Sequence, residues 1–270
     1  MIAIILCTYN GERFIEKQLL SLENQTYKDF IVYIHDDGST DSTVQLIESF
    51  KAASPLNIII MNDETKHRGA GPSFMWALNN ITADYYMFCD QDDYWLPTKV
   101  EHTYNRMVEV EKCNKNKPVL IHTDLSLTDG DLNITHQSFW NYQNFKVDIS
   151  KKRHYISFGN IVTGCTMIIN NAAKQVAFPY DGVMLHDYWI ALRVAKYGII
   201  ENIKEQTILY RQHGNNEAGA GAEYNKYSIG FAAFFNQMAT ELKSFKDITG
   251  AGFFSWFYHR LRYFYHRHLK

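Results

Sequence analysis

Apolar, β-branched runs alternate with amphipathic stretches through the first half of the chain. Residues 2–8, IAIILCT, have the continuous apolar character of a buried strand, and residues 11–25 follow with the spacing of a helix. Three more strand-like runs recur in the same alternation: FIVYIH at 30–35, LNIIIM at 56–61 and YYMFC at 85–89. Strands alternating with helices predict an α/β fold, with a mostly parallel sheet flanked by helices.

Polar loops interrupt this pattern at the expected strand ends. Parallel sheets bind ligands in the crevice at the carboxyl ends of their strands. We therefore expect four loops to open on one edge of the sheet: Thr8–Asn10, Asp36–Asp41, His67–Gly71 and Asp90–Asp93. Four polar loops on one rim are typical of an active site.

The second half of the chain is less regular. Its pattern predicts a strand in 118–129, one or two long strands in 156–171, a helix over 186–198 and a strand from 206 into a polar loop. From about Tyr224 the sequence becomes helical and strongly aromatic. We predict a catalytic domain over residues 1–222 and a helical, aromatic and basic extension over 223–270.

Composition narrows the function classes. The chain is 46% hydrophobic, enough for a substantial core, and its formal charge of −2 argues against a general nucleic-acid binder. Four isolated cysteines predict buried free thiols in a reducing compartment. Neither a signal peptide nor an apolar run of membrane-spanning length is evident. We expect a cytoplasmic protein.

Two strand ends carry candidate nucleotide contacts. G-x-G-x-x-G and P-loop motifs are absent, whereas CTYNGE offers Thr8, Tyr9 and Asn10, whose side chains suit a base, unless the segment is a simple turn. In HDDGSTD, a turn followed by a helix cap needs one acidic residue, and two are present. Asp37 is therefore a candidate acceptor for a pyrimidine N–H, and the alternative is again a pure turn and cap.

The stretch CDQDDYWLP at 89–97 crowds three carboxylates, which favours a bound cation. Asp90 and Asp92 alternate and should point the same way along an extended chain. Mg²⁺ or a similar divalent ion takes such oxygen ligands together with substrate phosphates. Asp93 should face away and cap the next turn. The alternative, an acidic loop capping a helix near Thr98, explains one aspartate but not three.

These motifs, in this order and spacing, resemble the family-2 glycosyltransferases of GT-A fold over roughly the first 215 residues. HTDLSLTD, SFWNYQ, NIVTGCTMIIN, LHDYWIAL and YRQHGNN further resemble bacterial rhamnosyltransferases of cell-wall and capsular polysaccharide synthesis. The resemblance implies that Asp37 meets the base, that Asp90 and Asp92 form the DxD pair, and that Asp187 is the catalytic base. His186 precedes Asp187 where the family usually has Glu.

The chemistry of glycosyl transfer agrees with these roles. Inversion needs a carboxylate to accept the acceptor's proton and a cation, Mn²⁺ or Mg²⁺, to stabilise the departing diphosphate. Asp187 alone would be read as a helix cap. With the other motifs present, YRQHGNN supplies His213 as a third metal ligand and Arg211 as a diphosphate contact, and Arg68 is a further phosphate candidate.

The C-terminal FFSWFYHRLRYFYHRHLK interleaves aromatic and basic residues, as helices in a membrane interface do. Packing on the catalytic domain and a dimer contact are the alternatives. A lipid-linked acceptor would favour a peripheral contact at the inner face of the plasma membrane.

The sequence thus predicts a metal-dependent inverting glycosyltransferase that moves a sugar from a nucleotide-sugar donor to a glycan or lipid-linked glycan. L-rhamnose from dTDP-rhamnose is the first expectation, and a UDP-hexose transferase of the same fold is the alternative. A nucleotidyltransferase would need a basic, Gly-rich signature after the first strand, where only Arg13 is found. A non-catalytic binding module would not need both the aspartate cluster and Asp187.

Overall fold

The computed structural model describes residues 1–63, 67–147, 153–182, 184–213 and 231–268. The first half forms the parallel sheet that the sequence predicts. Its strands are β1 (Ile2–Thr8), β2 (Phe30–Asp36), β3 (Ile58–Met61) and β4 (Tyr85–Asp90). Strand β1 pairs in parallel with β2 and with β4, and β2 pairs in parallel with β3. The helices between them are α1 (Ile15–Glu23), α2 (Thr43–Ala53) and α3 (Ala70–Asn80).

The remaining strands extend the sheet beyond β4. In chain order the elements are β5 (Tyr94–Trp95), α4 (Lys99–Cys113), β6 (Val119–Thr128), β7 (Ile134–His136), α5 (Phe139–Tyr142), β8 (Ile168–Asn170), α6 (Asn171–Ala177), α7 (His186–Tyr197) and β9 (Ile199–Arg211). Across the described residues the strand order is β3-β2-β1-β4-β8-β6-β9-β5, with β7 paired to β6. Strand β8 is antiparallel to both of its neighbours, whereas β6 and β9 are parallel to each other.

Hydrophobic layers cover both faces of the central strands. In β1, Ala3 and Ile5 belong to one layer, and Ile2, Ile4 and Leu6 belong to the other. Because both faces are buried, β1 is apolar at every position from Ile2 to Cys7 rather than at alternate ones. The predicted apolar face of α1 is also buried, through Phe14, Ile15, Leu19 and Leu22.

The prediction of long strands in 156–171 is wrong. Parts of two 3-10 helices, Arg153–Phe158 and Gly164–Thr166, lie in that region with irregular backbone between them, and only the short β8 is extended and paired. Ile161 and Val162 are buried in the core without belonging to a strand. A run of apolar residues indicates that a segment is buried, but it does not show whether the backbone of that segment pairs with a neighbouring strand.

Helix α7 ends as predicted, at Gly198, but for a packing reason. A Cβ at this position would lie 1.9 Å from the carbonyl oxygen of Pro118, so the close approach of two backbones requires glycine.

The cysteines differ in part from expectation: Cys89 and Cys165 are buried, whereas Cys113 is exposed at the last turn of α4.

The C-terminal region is helical, as the sequence predicts. Helices α8 (Phe231–Thr249) and α9 (Phe253–His268) pack on Arg153–Phe158, and α8 also contacts α7. The predicted domain boundary at residues 222 and 223 lies outside the described residues and stays a prediction. No helix in the described ranges combines the length and hydrophobicity needed to cross a membrane.

Candidate active site

A pocket of about 500 Å³ opens at the carboxyl ends of β1, β2 and β4. The starts of α3 and α7 form its opposite wall, where Gly71 approaches Leu185 and His186. The lining includes six of the residues predicted from sequence: Thr8, Tyr9, Asp37, Asp90, Asp92 and Asp187. All four predicted loops contribute to this lining, so the expectation that they share one edge is confirmed.

The loop after β1 divides into a pocket part and a turn part. Thr8 Oγ1 donates to Asp36 Oδ1 at 2.9 Å, and the Tyr9 ring lies 4.6 Å from the ring of His67 at the pocket mouth. Asn10 has a left-handed φ of 48°, and its Oδ1 accepts a hydrogen bond from the N–H of Thr40. Asn10 is therefore a turn residue outside the lining, and its predicted nucleotide contact is not supported by its position.

The paired aspartates after β2 have separate tasks. Asp36 accepts hydrogen bonds from the backbone N–H groups of Gly38 and Ser39 and thereby forms the turn. Asp37 is buried in the pocket wall and accepts from the N–H groups of Arg68 and Gly69, both at 2.8 Å. The turn interpretation thus fits Asp36, whereas Asp37 reaches the pocket. Its contact with a base remains a prediction.

Asp92 and His213 approach each other although 121 residues separate them. Asp92 Oδ2 lies 2.7 Å from His213 Nε2, and the His213 ring stacks on Phe14 at 4.5 Å. Adjacent ligands of an octahedral ion with bonds of about 2.1 Å lie about 3 Å apart. The pair therefore has a spacing suited to one shared cation. Asp92 lines the pocket together with Asp90, whereas His213 is outside the lining and is joined to it through its contact with Asp92.

Asp93 does not cap a helix, contrary to expectation. Helix α4 begins after Thr98 without any side-chain cap, whereas Asp93 is fully buried and its Oδ1 accepts from the N–H of Arg211. Burial, followed by the charges of Asp92 and Asp90, raises the pKa of Asp93 well above its usual range. The crowding of the three carboxylates therefore continues below the pocket floor.

The pocket floor has a negative potential. Burial, and then the charges of Asp90 and Asp37, raise the pKa of the Cys7 thiol. Burial, and then Asp93 and Asp90, likewise raise the pKa of Tyr210. Both groups line the pocket, and the raised pKa values mean that deprotonation of either group is disfavoured. The contribution of the neighbouring carboxylates to these shifts is the part that would favour a cation.

The two predicted phosphate-binding arginines lie elsewhere. Arg68 forms two hydrogen bonds with Asp63 and its guanidinium covers the ring of Trp76. Arg211 is buried, donates to the carbonyl oxygens of Asp92 and Gly130, and covers the ring of Phe14. Neither belongs to the pocket lining, so their positions do not support direct phosphate contacts. Arg211 instead holds the aspartate loop in place.

Asp187 stands in the first turn of α7 on the opposite wall. Its carboxylate accepts from the N–H of Gly164 at 3.2 Å and from the N–H of Tyr188 at 2.5 Å. Donors at a helix N-terminus favour the ionised carboxylate. Asp187 was identified from the resemblance of LHDYWIAL to a known family, but nothing in the sequence indicated its contact with Gly164.

Sequence reasoning missed several lining residues. Gln91 exchanges two hydrogen bonds with the backbone of Tyr9, and its place between two aspartates was the available signal. His186 is buried beside Phe74, and burial lowers the pKa of His186 to about 3, so its imidazole is neutral. Ser73 also lines the pocket from the first turn of α3. The arrangement can hold a cation at one wall and a proton-accepting carboxylate at the other.

Comparison with known proteins gives a consistent result. The model of the family "Glycosyl transferase family 2" matches residues 3–169. The dTDP-rhamnosyl transferase RfbG of Shigella flexneri is 29% identical over 227 residues, which are 81% of this chain and 75% of that protein. The UDP-Glc:alpha-D-GlcNAc-diphosphoundecaprenol beta-1,3-glucosyltransferase WfaP of Escherichia coli is 26% identical over 230 residues, 80% of this chain and 79% of that protein.

A solved structure supports the same fold. The mannosyltransferase PcManGT of Pyrobaculum calidifontis, in complex with GDP-Man and Mn²⁺, superposes with a TM-score of 0.61 at 17% identity. The superposition covers 98% of this chain and 69% of that one. The mixed sheet with its flanking helices is the GT-A fold, which confirms the fold class predicted from sequence.

Proposed function

Since the chain belongs to glycosyl transferase family 2, we propose that it is a metal-dependent, inverting glycosyltransferase, and that its donor is dTDP-L-rhamnose. The observation that carries the mechanism is the arrangement of one pocket. Asp90 and Asp92 lie at strand-end loops of the sheet, and Asp187 lies on the α7 wall of the same cavity. Donor activation and proton removal need carboxylates at two separate positions.

Asp187 acts as the general base. Its carboxylate accepts the proton of the acceptor hydroxyl while that oxygen forms a bond to the anomeric carbon. The bond between the anomeric carbon and the diphosphate oxygen breaks at the same time, and the nucleoside diphosphate leaves with both electrons. The N–H groups of Gly164 and Tyr188 orient the carboxylate.

Asp92 and His213 hold the divalent cation, with Asp90 beside them. Their 2.7 Å spacing and the negative potential of the floor support this ligand set. When bound, Mn²⁺ or Mg²⁺ supplies positive charge that stabilises the leaving diphosphate. Asp37 binds the base at the β2 end, and the Tyr9 ring lies over the same part of the pocket.

The donor is proposed from similarity to a relative. RfbG is named a dTDP-rhamnosyl transferase, and it is similar to this chain over most of both lengths. WfaP, a UDP-glucose enzyme, supports the alternative of a UDP-hexose donor. Thymine and uracil share their hydrogen-bonding edge, so Asp37 serves either base. Because the chain belongs to glycosyl transferase family 2, the alternative of a nucleotidyltransferase is disfavoured.

The acceptor we propose is a growing surface glycan carried on a lipid. WfaP acts on a diphosphoundecaprenol-linked sugar, which supports an acceptor of this class. Such an acceptor places the reaction at the inner face of the plasma membrane. It also requires the pocket to work close to a lipid surface.

The test compares donors and metals with the purified chain. dTDP-rhamnose, UDP-glucose and UDP-N-acetylglucosamine are each supplied with Mn²⁺, Mg²⁺ or EDTA, and release of the nucleoside diphosphate is measured with short lipid-linked acceptors. A parallel thermal-shift series measures donor binding without turnover, because ligands that bind the native state raise its melting temperature. We expect dTDP-rhamnose to be preferred and EDTA to abolish release. Preference for UDP-glucose would establish the alternative donor, and absence of transfer with every donor would overturn the proposal.

A further inference from the structure

Helix α9 buries one face against the rest of the protein. Trp256 is 1% exposed and packs in an aromatic cluster with Tyr155, Phe158 and Phe245. Tyr263, two turns later on the same face, contacts Tyr155 and Phe158. On this face the helix is fixed by packing, as one alternative drawn from the sequence foresaw.

The opposite face of α9 is also apolar, and it is exposed. Seven large side chains on this face are between 47% and 87% exposed: Phe253, Phe254, Phe257, Tyr258, Leu261, Phe264 and Tyr265. At about 100° per residue they occupy one arc of about 140°, centred near Phe254 and Leu261. We refer to these seven residues as the outer face. A continuous apolar surface of this kind marks an interaction site.

The charge around the outer face has one sign. Residues 252–270 contain four Arg or Lys residues and three His residues but neither Asp nor Glu, although the whole chain has a formal charge of −2. Arg260 is held by Glu241 at the packed side, whereas Arg262 is exposed beside Tyr258. Exposed aromatic rings and the exposed Arg262 therefore share a helix whose sequence contains basic but no acidic residues.

We propose that the outer face of α9 binds the surface of an anionic lipid bilayer. Aromatic rings partition into the headgroup region, and adjacent cations are attracted to anionic lipids. A second copy of the chain would bring two cationic helices together without acidic partners, which charge disfavours. The 16-residue helix is about 24 Å long, shorter than the roughly 30 Å hydrocarbon core, and its other face is packed. It therefore lies along the interface rather than across it.

This inference extends the proposed function, because a lipid-linked acceptor is presented at such a surface. Lipid binding itself needs neither donor nor turnover. The two proposals can therefore fail separately: vesicle binding without transfer would retain this inference and reject the enzymatic one.

The test is co-sedimentation of the full chain with vesicles of phosphatidylcholine, with and without phosphatidylglycerol. The variant Phe254→Ser/Leu261→Ser/Tyr265→Ser changes the centre of the outer face, away from Trp256. Its matched control, Ile134→Ser/Tyr142→Ser/Tyr197→Ser, changes three similarly exposed apolar residues elsewhere. We expect binding that requires phosphatidylglycerol, a loss of about tenfold or more in the outer-face variant, and no loss in the control. Arg262→Gln should weaken binding roughly fivefold.

Melting curves and thermal shifts with the donor show whether each variant is folded. Absence of binding by the wild-type chain, or equal binding by the outer-face variant, would overturn the proposal. A concentration-dependent dimer that the outer-face variant abolishes, with no vesicle binding by the wild type, would assign the surface to a second copy instead. A soluble acceptor should be glycosylated equally by the wild type and the outer-face variant.

Discussion

On one side of the pocket, loops after β1, β2 and β4 present Thr8, Asp37 and Asp92 where strands end. On the other side, Asp187 stands in the first turn of α7 and is held by the backbone of Gly164, in a 3-10 helix. The strand-end side follows from a rule common to parallel sheets. The helix side depends on a contact between segments 23 residues apart. The two sides should therefore respond differently to substitution.

The strongest test of the helix side is Asp187→Asn. Asparagine keeps the shape and can still accept the hydrogen bond from the N–H of Gly164, but it cannot accept the acceptor's proton. We expect turnover to fall by about 10² to 10⁴ while donor affinity and melting temperature are retained. Steady-state transfer kinetics and donor thermal shifts measure the two quantities.

A matched control is Glu48→Gln, which neutralises an exposed carboxylate on α2 far from the pocket. It should leave turnover unchanged. Near wild-type turnover in Asp187→Asn would give Asp187 a purely structural role and would require a different base.

The corresponding change on the strand-end side is Asp92→Asn. It removes one carboxylate oxygen from the pair formed with His213. We expect the affinity for Mn²⁺ in the presence of nucleoside diphosphate to fall by about 10- to 100-fold or more, since even residues supporting metal ligands have effects of that size. Calorimetric titration with and without Mn²⁺ measures it. Equally tight, metal-dependent binding by the variant would reject Asp92 as a ligand.

The residues of the two sides also differ in how well the sequence predicts them. Asp37 and Asp92 were identifiable because each is a charged residue at the end of a strongly patterned strand, whereas Asp187 was identified through the resemblance of LHDYWIAL to a known family. Arg68 was predicted to contact phosphate from its Gly-rich loop and Arg211 from the YRQHGNN motif, whereas the structure pairs the first with Asp63 and buries the second. Gly164 gave no signal, because the contact of a backbone N–H depends on tertiary packing.

Gly164→Ala tests that backbone contact directly. The added Cβ would lie 2.6 Å from His186 Nε2 and 3.6 Å from Asp187 Cβ, so the wall must shift. We expect a loss of about 1–3 kcal/mol in the free energy of unfolding, together with lower turnover. Chemical denaturation and transfer kinetics measure both.

The double variant Gly164→Ala/His186→Ala provides the control. Removing the imidazole relieves the clash, so the double variant should lose less stability than the sum of the two single variants. Strict additivity would show that Gly164 is not constrained by His186.

Protonation of buried histidines should lower the free energy of unfolding at acidic pH and have almost no effect at neutral pH. In the second half of the chain, burial lowers the pKa of both His122 and His186 to about 3, against about 6.5 in an unfolded chain. Neither of these two rings has a hydrogen-bond partner among the described residues. Between these pKa values the unfolded chain binds more protons, so stability falls as the pH decreases from about 6.5 towards 3.

The variant His122→Leu tests this pH dependence of stability without altering the pocket. His122 is buried beside Trp140 and does not line the cavity, so its replacement isolates the cost of protonation. For the wild type, the unfolded-state pKa implies a loss of about 2 kcal/mol between pH 7 and pH 5 from this one residue, and almost none above pH 7. The variant should therefore lose about 2 kcal/mol less than the wild type over that interval, whatever its stability at pH 7. Urea denaturation at pH 5, 6, 7 and 8 measures the slope. Parallel pH profiles for wild type and His122→Leu would show that the His122 ring is protonated equally in the folded and unfolded states.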